Sequence, residues 1–401
     1  MPEIVIFLLI KLVMTIVIFA LWMTMVPFMI WLERKVIADI QIRIGPNRVG
    51  PFGLLQPIAD ALKLIMKEDI TPAKADKLIY PIAPALLMVP ALLAIAVIPI
   101  GGMVTIGERS FTLQIMGEYR GPNGFFVPEL DAGILLSLAL SSLGVYGVVL
   151  AGWSSANKYS LLGGMRSSAQ MLSYELPLGV ALVGPLLLAS SLRLNEVVNA
   201  QSNFGIWFII PQFVGFIIFL MSGTAEVNRA PFDLPEAEQE LIGGYHTEYS
   251  SFRFAMFFMA EYLNMVTISA LAVTFFLGGY RLFTDIVWLQ PIWFALKLML
   301  FLYLFVWIRG TWPRVRYDQL MALGWKVSLP LALINLAITA IVLAYVPKRA
   351  VLVLTITSIV LITIAYYGSS YNLRRSTEIA ARSVMPAGIY RNQRKRGFNQ
   401  V

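Results

Sequence analysis

Residues 4–31, IVIFLLIKLVMTIVIFALWMTMVPFMIW, decide the class of fold. A helix needs about 20 consecutive apolar residues to cross the hydrocarbon core of a bilayer, and this stretch exceeds that length with Lys11 as its only charge. The rest of the chain has the same character, since 58% of its 401 residues are hydrophobic and 13% are charged. A soluble protein of this length cannot bury so much apolar surface. The sequence therefore predicts an all-α polytopic membrane protein.

Eight further apolar runs follow, which gives about nine predicted transmembrane helices. The predicted spans are 4–31, 79–100, 132–152, 162–190, 206–224, 252–278, 287–308, 328–346 and 350–368. Residues 1–368 are predicted to form one helical bundle, and residues 369–401 a basic cytoplasmic C-terminal tail. In residues 54–68 the apolar positions repeat at helical spacing, with Asp60 and Lys63 on the other face. This pattern predicts an amphipathic helix that lies in the membrane interface or packs on the bundle surface.

The charged residues and the missing residue types narrow the function. The net charge is +8, but the 31 Lys and Arg residues form no groove-sized patch for nucleic acid. Most of them follow the first, seventh and ninth spans, which predicts an outer (periplasmic) N-terminus and an inner C-terminus. The first span lacks a basic leader and a cleavage site, so we expect it to be retained. With no cysteine, one histidine (His246) and no cofactor-binding motif, the chain is expected to bind no metal or cofactor of its own.

An acidic segment interrupts the apolar sequence at residues 225–250. Asp233-Leu-Pro-Glu236 is typical of a helix start, because acidic groups favour the N-terminal turn. Glu236 and Glu240 share a helix face, where like charges repel, so we expect them to be solvated or partly protonated. A solvated loop and a proton-exchanging group both explain the segment, and its apolar flanks favour the second. Six of the 23 acidic residues lie here: Glu226, Asp233, Glu236, Glu238, Glu240 and Glu248.

Ionisable residues inside the predicted spans indicate function, because a charge in hydrocarbon is costly. Arg166 and Glu175 lie about 13 Å apart along one helix, so they cannot pair with each other. Glu261 and Lys297 are expected to pair across adjacent helices. A structural ion pair would explain any one of these residues, but charges at several depths favour a proton relay.

Four blocks of sequence carry a family resemblance. They are WLERKVIADIQIRIGPNRVGPFGLLQPIADALKLIMKED (31–69), QMLSYELPLG (170–179), AEVNRAPFDLPEAEQELIGGYHTEYSSFRFAMFFMAEYLNM (225–265) and WIRGTWPRVRYDQLMALGWK (307–326). The chain resembles the quinone-site membrane subunit of respiratory complex I over its first eight spans. It departs from many members in its ninth span and in the basic tail RNQRKRG (391–397). The departure favours a bacterial protein, with a tail that docks on anionic lipid or on the redox arm.

The resemblance implies a membrane subunit of proton-translocating NADH:quinone oxidoreductase in the bacterial inner membrane. Such a subunit forms the quinone-access chamber with redox-arm subunits and adjoins small and antiporter-like membrane subunits. It couples quinone reduction to proton translocation through buried carboxylates. Quinone, either ubiquinone or menaquinone, is the substrate. FMN and iron–sulfur clusters belong to partner subunits, so this chain is a non-redox subunit of the enzyme with no complete active site alone.

The resemblance also assigns residues. The quinone chamber involves Glu33, Arg34, Asp60, Lys63, Glu226, Arg229, Asp233 and Arg309. The proton path involves Arg166, Glu175, Glu236, Glu238, Glu240, Glu248, Glu261, Tyr262 and Lys297. An alternative is the related membrane subunit of a hydrogenase or F420H2 dehydrogenase complex, but the complete blocks 31–69 and 225–265 favour complex I. A stand-alone antiporter would need an inverted repeat, which we do not find, and a structural anchor leaves the buried charges unexplained.

Overall fold

The computed structural model describes residues 2–233, 243–282, 286–361 and 363. Within these ranges most residues are helical and the strands form one small sheet, which confirms the all-α membrane fold. Glu236, Glu238 and Glu240 of the acidic segment, the end of the ninth predicted span and the predicted tail lie outside the described residues.

Twelve helices are present in the described part of the chain. Seven helical stretches are long and apolar enough to cross a membrane: α1, α3, α4, α5, α8, α9, and the pair α10–α11, which a π-helical turn at Gly324–Ser328 joins. The helices α7 and α12 are shorter and stand at the fifth and ninth predicted spans. The bounds are α1 Pro2–Ile40, α2 Gln56–Met66, α3 Ile79–Leu93, α4 Gly133–Ser154, α5 Lys158–Ala189, α6 Leu194–Phe204, α7 Phe213–Glu226, α8 Ser251–Phe276, α9 Gln290–Thr311, α10 Tyr317–Leu323, α11 Leu329–Tyr345 and α12 Ala350–Leu361.

The fifth predicted span begins later than expected, because a buried glutamine organises a turn before it. The Oε1 atom of Gln201 accepts hydrogen bonds from the backbone N–H groups of Phe208 (3.2 Å) and Gly278 (2.9 Å). The first bond satisfies a buried donor of the predicted span that a continuous helix would have used internally. The second ties the same glutamine to the residues that follow α8. The apolar residues 206–212 therefore form turns, and the helix starts at Phe213.

The segment between α3 and α4, for which the sequence predicted no structure, folds into a four-stranded antiparallel sheet. Its strands are β1 Gly101–Ile106, β2 Arg109–Leu113, β3 Tyr119–Arg120 and β4 Phe126–Val127, paired in that order. The sheet holds the first turns of α1. Arg109 donates to the Glu3 carboxylate at 2.8 Å, and the Lys11 ammonium donates to the backbone carbonyl of Gly117 at 2.8 Å.

Three helices at the centre of the bundle pack backbone against backbone. A Cβ atom on Gly147 of α4 would lie 2.8 Å from the backbone nitrogen of Leu87 in α3. A Cβ atom on Gly152 would lie 2.8 Å from the carbonyl oxygen of Ser160 in α5. Only glycine permits this approach, which is the usual way for membrane helices to gain close packing.

The two ends of the bundle differ in what they gather. The last turns of α1, α7 and α9, the first turns of α8 and the helix α2 meet at one end, which we call the chamber end. The sheet, α6 and residues 277–282 meet at the opposite end, which we call the far end. The helix α2 agrees with the predicted amphipathic helix. Its last turn is held by Ser251 at the start of α8, whose single hydroxyl proton is shared between the carbonyls of Leu64 (2.9 Å) and Lys67 (2.7 Å).

Candidate functional site

A cluster of paired charges lies at the chamber end, with Arg229 at its centre. The guanidinium of Arg229 is 3.5 Å from Glu33 Oε2 and 2.5 Å from Glu261 Oε1. It also lies 4.2 Å from the centre of the Tyr262 ring. The Tyr262 hydroxyl donates to Glu33 at 2.8 Å, and Arg309 pairs with the other oxygen of the same carboxylate. Every member of this cluster therefore has a charged or hydroxyl partner, as buried ions require.

Four separate chain segments bring the cluster together. Glu33 lies in the last turns of α1, Glu261 and Tyr262 are consecutive in α8, and Arg309 lies in the last turn of α9. Arg229 lies in the turn that follows α7. Side chains of α5 hold this turn. Gln170 donates to the carbonyls of Ala225 (2.8 Å) and Phe232 (2.9 Å), and Asn228 donates to Ser167 (2.9 Å).

The cluster forms one wall of an open polar cavity of about 650 Å³. Asp233 lies in another part of the wall, where its carboxylate accepts from Arg314 at 3.1 Å. Burial raises the pKa of Asp233 above its usual value, although Arg314 and Arg229 oppose the shift. Burial also lowers the pKa of His246 to about 4, so this imidazole is neutral at pH 7. The charged lining is Glu33, Arg229, Asp233, Glu261, Arg309 and Arg314.

A second cavity, of about 510 Å³, lies between α1, α2 and α8. Its walls are mostly apolar and include Met23, Ile30, Leu64, Ile65, Phe252 and Met259. The polar residues at its edge form a group around Asp60, which accepts from Arg34 at 2.6 Å and from Gln56 at 3.1 Å, with Lys63 at 3.9 Å. Partial burial favours a higher pKa for Asp60, but the hydrogen bonds from Arg34 and Gln56 lower it below its usual value.

Two further carboxylates lie deeper in the bundle, and adjacent serines hold them. Ser141 and Ser142 of α4 donate hydrogen bonds to Glu226 and Glu175, respectively. Glu226 also borders a narrow buried cavity of about 30 Å³. Sequence analysis missed both serines. The available signal was a pair of small hydroxyl side chains within an otherwise apolar span, where such groups need a buried partner.

The expected pair between Glu261 and Lys297 is wrong. Lys297 donates instead to three backbone carbonyls at the far end, those of Leu277 (2.6 Å), Gly279 (2.9 Å) and Arg281 (2.6 Å). The reason is depth. Leu277 is sixteen residues beyond Glu261 along α8, roughly 24 Å of rise, so the lysine and the carboxylate lie at different depths and too far apart to pair.

The remaining predicted residues stand at the edge of the site. The guanidinium of Arg166 lies 5.6 Å from the ring of Tyr317, where α5 meets α10. Glu248 accepts from Asn157 at 2.6 Å, so it ties the acidic segment to the turn between α4 and α5. In agreement with the sequence prediction, Arg166 and Glu175 do not pair with each other, since Glu175 accepts from Ser142.

Comparison with known proteins identifies relatives along most of the chain. The sequence model of the family described as "NADH dehydrogenase" matches residues 11–340. The H 2 subunit of NADH-quinone oxidoreductase from Koribacter versatilis is 51% identical over 354 residues, which are 86% of this chain and 99% of that protein. The H 2 subunit from Geobacter sulfurreducens is 53% identical over 319 residues, 78% of this chain and 90% of that protein. Subunit 8 of the Thermus thermophilus enzyme is 50% identical over 313 residues, 78% and 81% of the two chains.

Proposed function

The chain belongs to the NADH dehydrogenase family, among the relatives of the H subunit of NADH-quinone oxidoreductase, and on this premise we propose that it forms the quinone-access chamber of that complex and couples quinone reduction to proton translocation. It is a multi-pass membrane protein and a subunit of an oxidoreductase complex, so other complex I subunits are its partners. All three of these relatives are NADH-quinone oxidoreductase subunits, which does not favour a hydrogenase or F420H2 dehydrogenase complex.

The observation that carries the proposal is the junction of the two chamber-end cavities. The apolar cavity between α1, α2 and α8 and the polar cavity around Arg229 share four lining residues: Glu33, Phe254, Phe258 and Tyr262. A quinone has a polar head group and an apolar isoprenoid tail, and binding sites match such a ligand with apolar walls and a few placed polar groups. The tail fits the apolar cavity, and the head group fits the polar one beside Tyr262.

The charges around the polar cavity support coupling to protons. Quinone takes up protons as it takes up electrons, which redox-arm subunits supply, so its reduction changes the charge beside Glu33 and Glu261. Glu226, the last residue of α7, lies three residues before Arg229 and accepts from Ser141, whose neighbour Ser142 donates to Glu175. We assign these groups to a proton path that runs from the chamber into the bundle. Glu236, Glu238, Glu240 and Glu248 remain proposed members of the path.

The proposal includes an orientation. The basic residues that follow α1 and α9, among them Arg43, Arg48 and Arg316, lie at the chamber end of the bundle. The bias of such residues toward the cytoplasm places the chamber end inside and the N-terminus outside. The redox arm would then dock over the polar cavity, and quinone would enter from the bilayer beside α2.

Charge-neutral substitutions test the proton path. In membranes that contain the whole complex, we expect Glu226→Gln and Glu175→Gln to assemble normally but to lose most coupled NADH:quinone turnover and proton pumping. Glu108→Gln, in the exposed turn between β1 and β2, is the matched control and should behave as the parent. Parental turnover and pumping in both path variants would refute the assignment.

A filled cavity tests the quinone route. Ala61 of α2 lines the apolar cavity, so Ala61→Trp should raise the KM for quinone while electron transfer to an artificial acceptor of the redox arm stays unchanged. A photoreactive quinone should label residues 23–65 and 252–262 in the parent, and excess unlabelled quinone should suppress the labelling. Labelling confined to other subunits would contradict the route.

A further inference from the structure

A second polar region lies at the far end, on the other side of the membrane from the chamber. It is a cavity of about 510 Å³ between the sheet, α6 and the residues that follow α8. Glu129, which is 7% exposed, lies in its wall and accepts from the backbone N–H of Asn195 at 3.5 Å. The Asn195 side chain donates to Gln114 at 2.6 Å, and Arg193 also lines the cavity. These residues form a hydrogen-bonded polar network open to the far side.

The proton path of the proposed function approaches this network from within the bundle. The narrow cavity beside Glu226 extends along α4 to Ser137, which is 3% exposed. Its volume of about 30 Å³ exceeds the roughly 10–15 Å³ that a cavity needs to hold one water molecule. Two buried polar atoms near it, Glu226 Oε2 and Thr267 Oγ1, have no hydrogen-bond partner among the described residues. The inner polar region therefore ends at Ser137, with unused hydrogen-bonding capacity.

A thin apolar layer separates the two polar regions. A Cβ atom on Gly133, one turn before Ser137 in α4, would lie 3.2 Å from Leu194 Cδ1 and 3.6 Å from Val97 Cβ. Val97 is 0% exposed, and Leu194 and Ile134 are each 1% exposed. The carbonyl of Val97 accepts from Gln114 at 2.8 Å, so its backbone belongs to the far-end network while its side chain faces Gly133. We call these four residues, Val97, Gly133, Ile134 and Leu194, the apolar layer.

We propose that the apolar layer is a proton barrier, which keeps protons of the Glu226 group from crossing this chain to the far-end cavity. Protons move along chains of hydrogen-bonding groups, and the side chains of the layer offer neither donor nor acceptor. The gap from Gly133 to Ser137 is only about 6 Å along the helix. One polar side chain is therefore enough to bridge it.

The barrier explains why polar groups can stand on both sides without dissipating a proton gradient. Protons can then move through the Glu226 group along the membrane, but they cannot cross this chain to the far-end cavity. The inference rests on the proposed proton path through Glu226, and it adds the four residues that close the direct route outward.

Reconstitution of the complete complex in sealed liposomes tests the barrier. A pH gradient is imposed without NADH or quinone, and an entrapped pH-sensitive dye reports passive proton entry. Leu194→Asn should raise passive proton permeability several-fold, and Val97→Ser should raise it less. With NADH, both variants should pump fewer protons per NADH oxidised, while turnover in the presence of an uncoupler stays near the parental rate.

Matched variants control for loosened packing. Leu194→Met keeps the layer apolar, and Gly133→Ala thickens it, so both should show parental permeability. Adding Ser137→Ala to Leu194→Asn should reduce the leak, because it removes the inner end of the bridge. If the complex with Leu194→Asn does not assemble, the passive proton permeability of the Val97→Ser complex tests the barrier instead.

Parental permeability in the assembled polar variants would overturn the barrier, as would an equal leak in Leu194→Met. A failure of the barrier can be distinguished from a failure of the proposed proton path. Failure of that path would show as parental coupled turnover in Glu226→Gln, an assay that requires NADH and quinone.

Discussion

At the chamber end Arg229 lies between the carboxylates of Glu33 and Glu261, whereas at the far end Lys11 and Lys297 donate to backbone carbonyls. Both arrangements solve the same problem, since a cation in a low-dielectric interior needs compensation. They differ in whether the partner of the cation can exchange a proton. A carboxylate can gain or lose a proton, and a carbonyl cannot. The carboxylates of the ion-pair cluster can therefore exchange protons, while the carbonyl partners of Lys11 and Lys297 keep the same charge.

The largest expected effect comes from the central cation of the chamber. Arg229→Met leaves the carboxylates of Glu33 and Glu261 without it, and breaking a buried pair typically costs about 3–5 kcal/mol. We expect strong loss of NADH:quinone activity and of assembled complex, measured by turnover and native gel electrophoresis. Arg120→Gln is the control. Arg120 pairs with Glu118 on the exposed sheet, so its loss should have little effect on turnover or on assembly. Normal activity in Arg229→Met would contradict the role of the cluster.

Lys297→Met is expected to separate stability from activity. It leaves the carbonyls of Leu277, Gly279 and Arg281 unpaired, and an unsatisfied buried polar group costs about 1–3 kcal/mol. The thermal unfolding midpoint of the complex should fall, while NADH:quinone turnover per assembled complex should stay parental. Loss of pumping at parental stability would instead return Lys297 to the proton path and weaken the comparison between the two ends.

A smaller effect is expected where α2 meets α8. Ser251→Ala removes the hydroxyl that donates to Leu64 and Lys67, and a typical hydrogen bond contributes about 0.5–1.5 kcal/mol. Amide hydrogen exchange in residues 56–66 should become faster, and the KM for quinone should rise modestly because α2 forms one wall of the apolar cavity. Ser110→Ala, in the far-end strand β2, serves as the control. Unchanged exchange in 56–66 would show that Ser251 does not hold the helix.

The smallest effect concerns His246, whose pKa burial lowers from 6.5 to about 4. Between these values the unfolded chain binds more protons than the folded one, so the contribution of His246 to stability is constant above pH 6.5 and falls as the pH drops toward 4. Because His246 is the only histidine of this chain, isotope labelling confined to this subunit gives one unambiguous imidazole NMR signal. We expect that signal to stay in the neutral form until the pH approaches 4. A midpoint near 6.5 would place a titrating cation in the chamber.

Much of the bundle could be predicted, because a membrane span is a property of one continuous segment. Residues 4–31 and 252–278 are apolar over the required length whatever surrounds them, and both are helical. The sheet between α3 and α4 could not be found this way. Its strands are short, and it is stabilised by contacts with α1, such as Glu3–Arg109, which are distant in sequence.

The residues of the candidate site also differ in how far the sequence could identify them. Glu261 stood out as a charge within an apolar span, whereas Glu33 and Arg229 were assigned by the family resemblance, and the fold brings the three together. The partner of Lys297 could not be predicted, because backbone carbonyls occur at every residue and leave no pattern. Ser141 and Ser142 left a signal in the sequence, but their partners Glu226 and Glu175 lie on other helices, and the sequence alone does not show which helices adjoin.

The glycine contacts of α4 have a mechanical consequence. With Gly147 against the backbone of Leu87 and Gly152 against that of Ser160, the helices α3, α4 and α5 are too close to slide past one another without collision. The centre of the bundle is therefore rigid, and α3, α4 and α5 keep their positions relative to one another. Under the proposed function, a displacement that starts when quinone binds would have to travel instead through side chains and through the turn around Arg229.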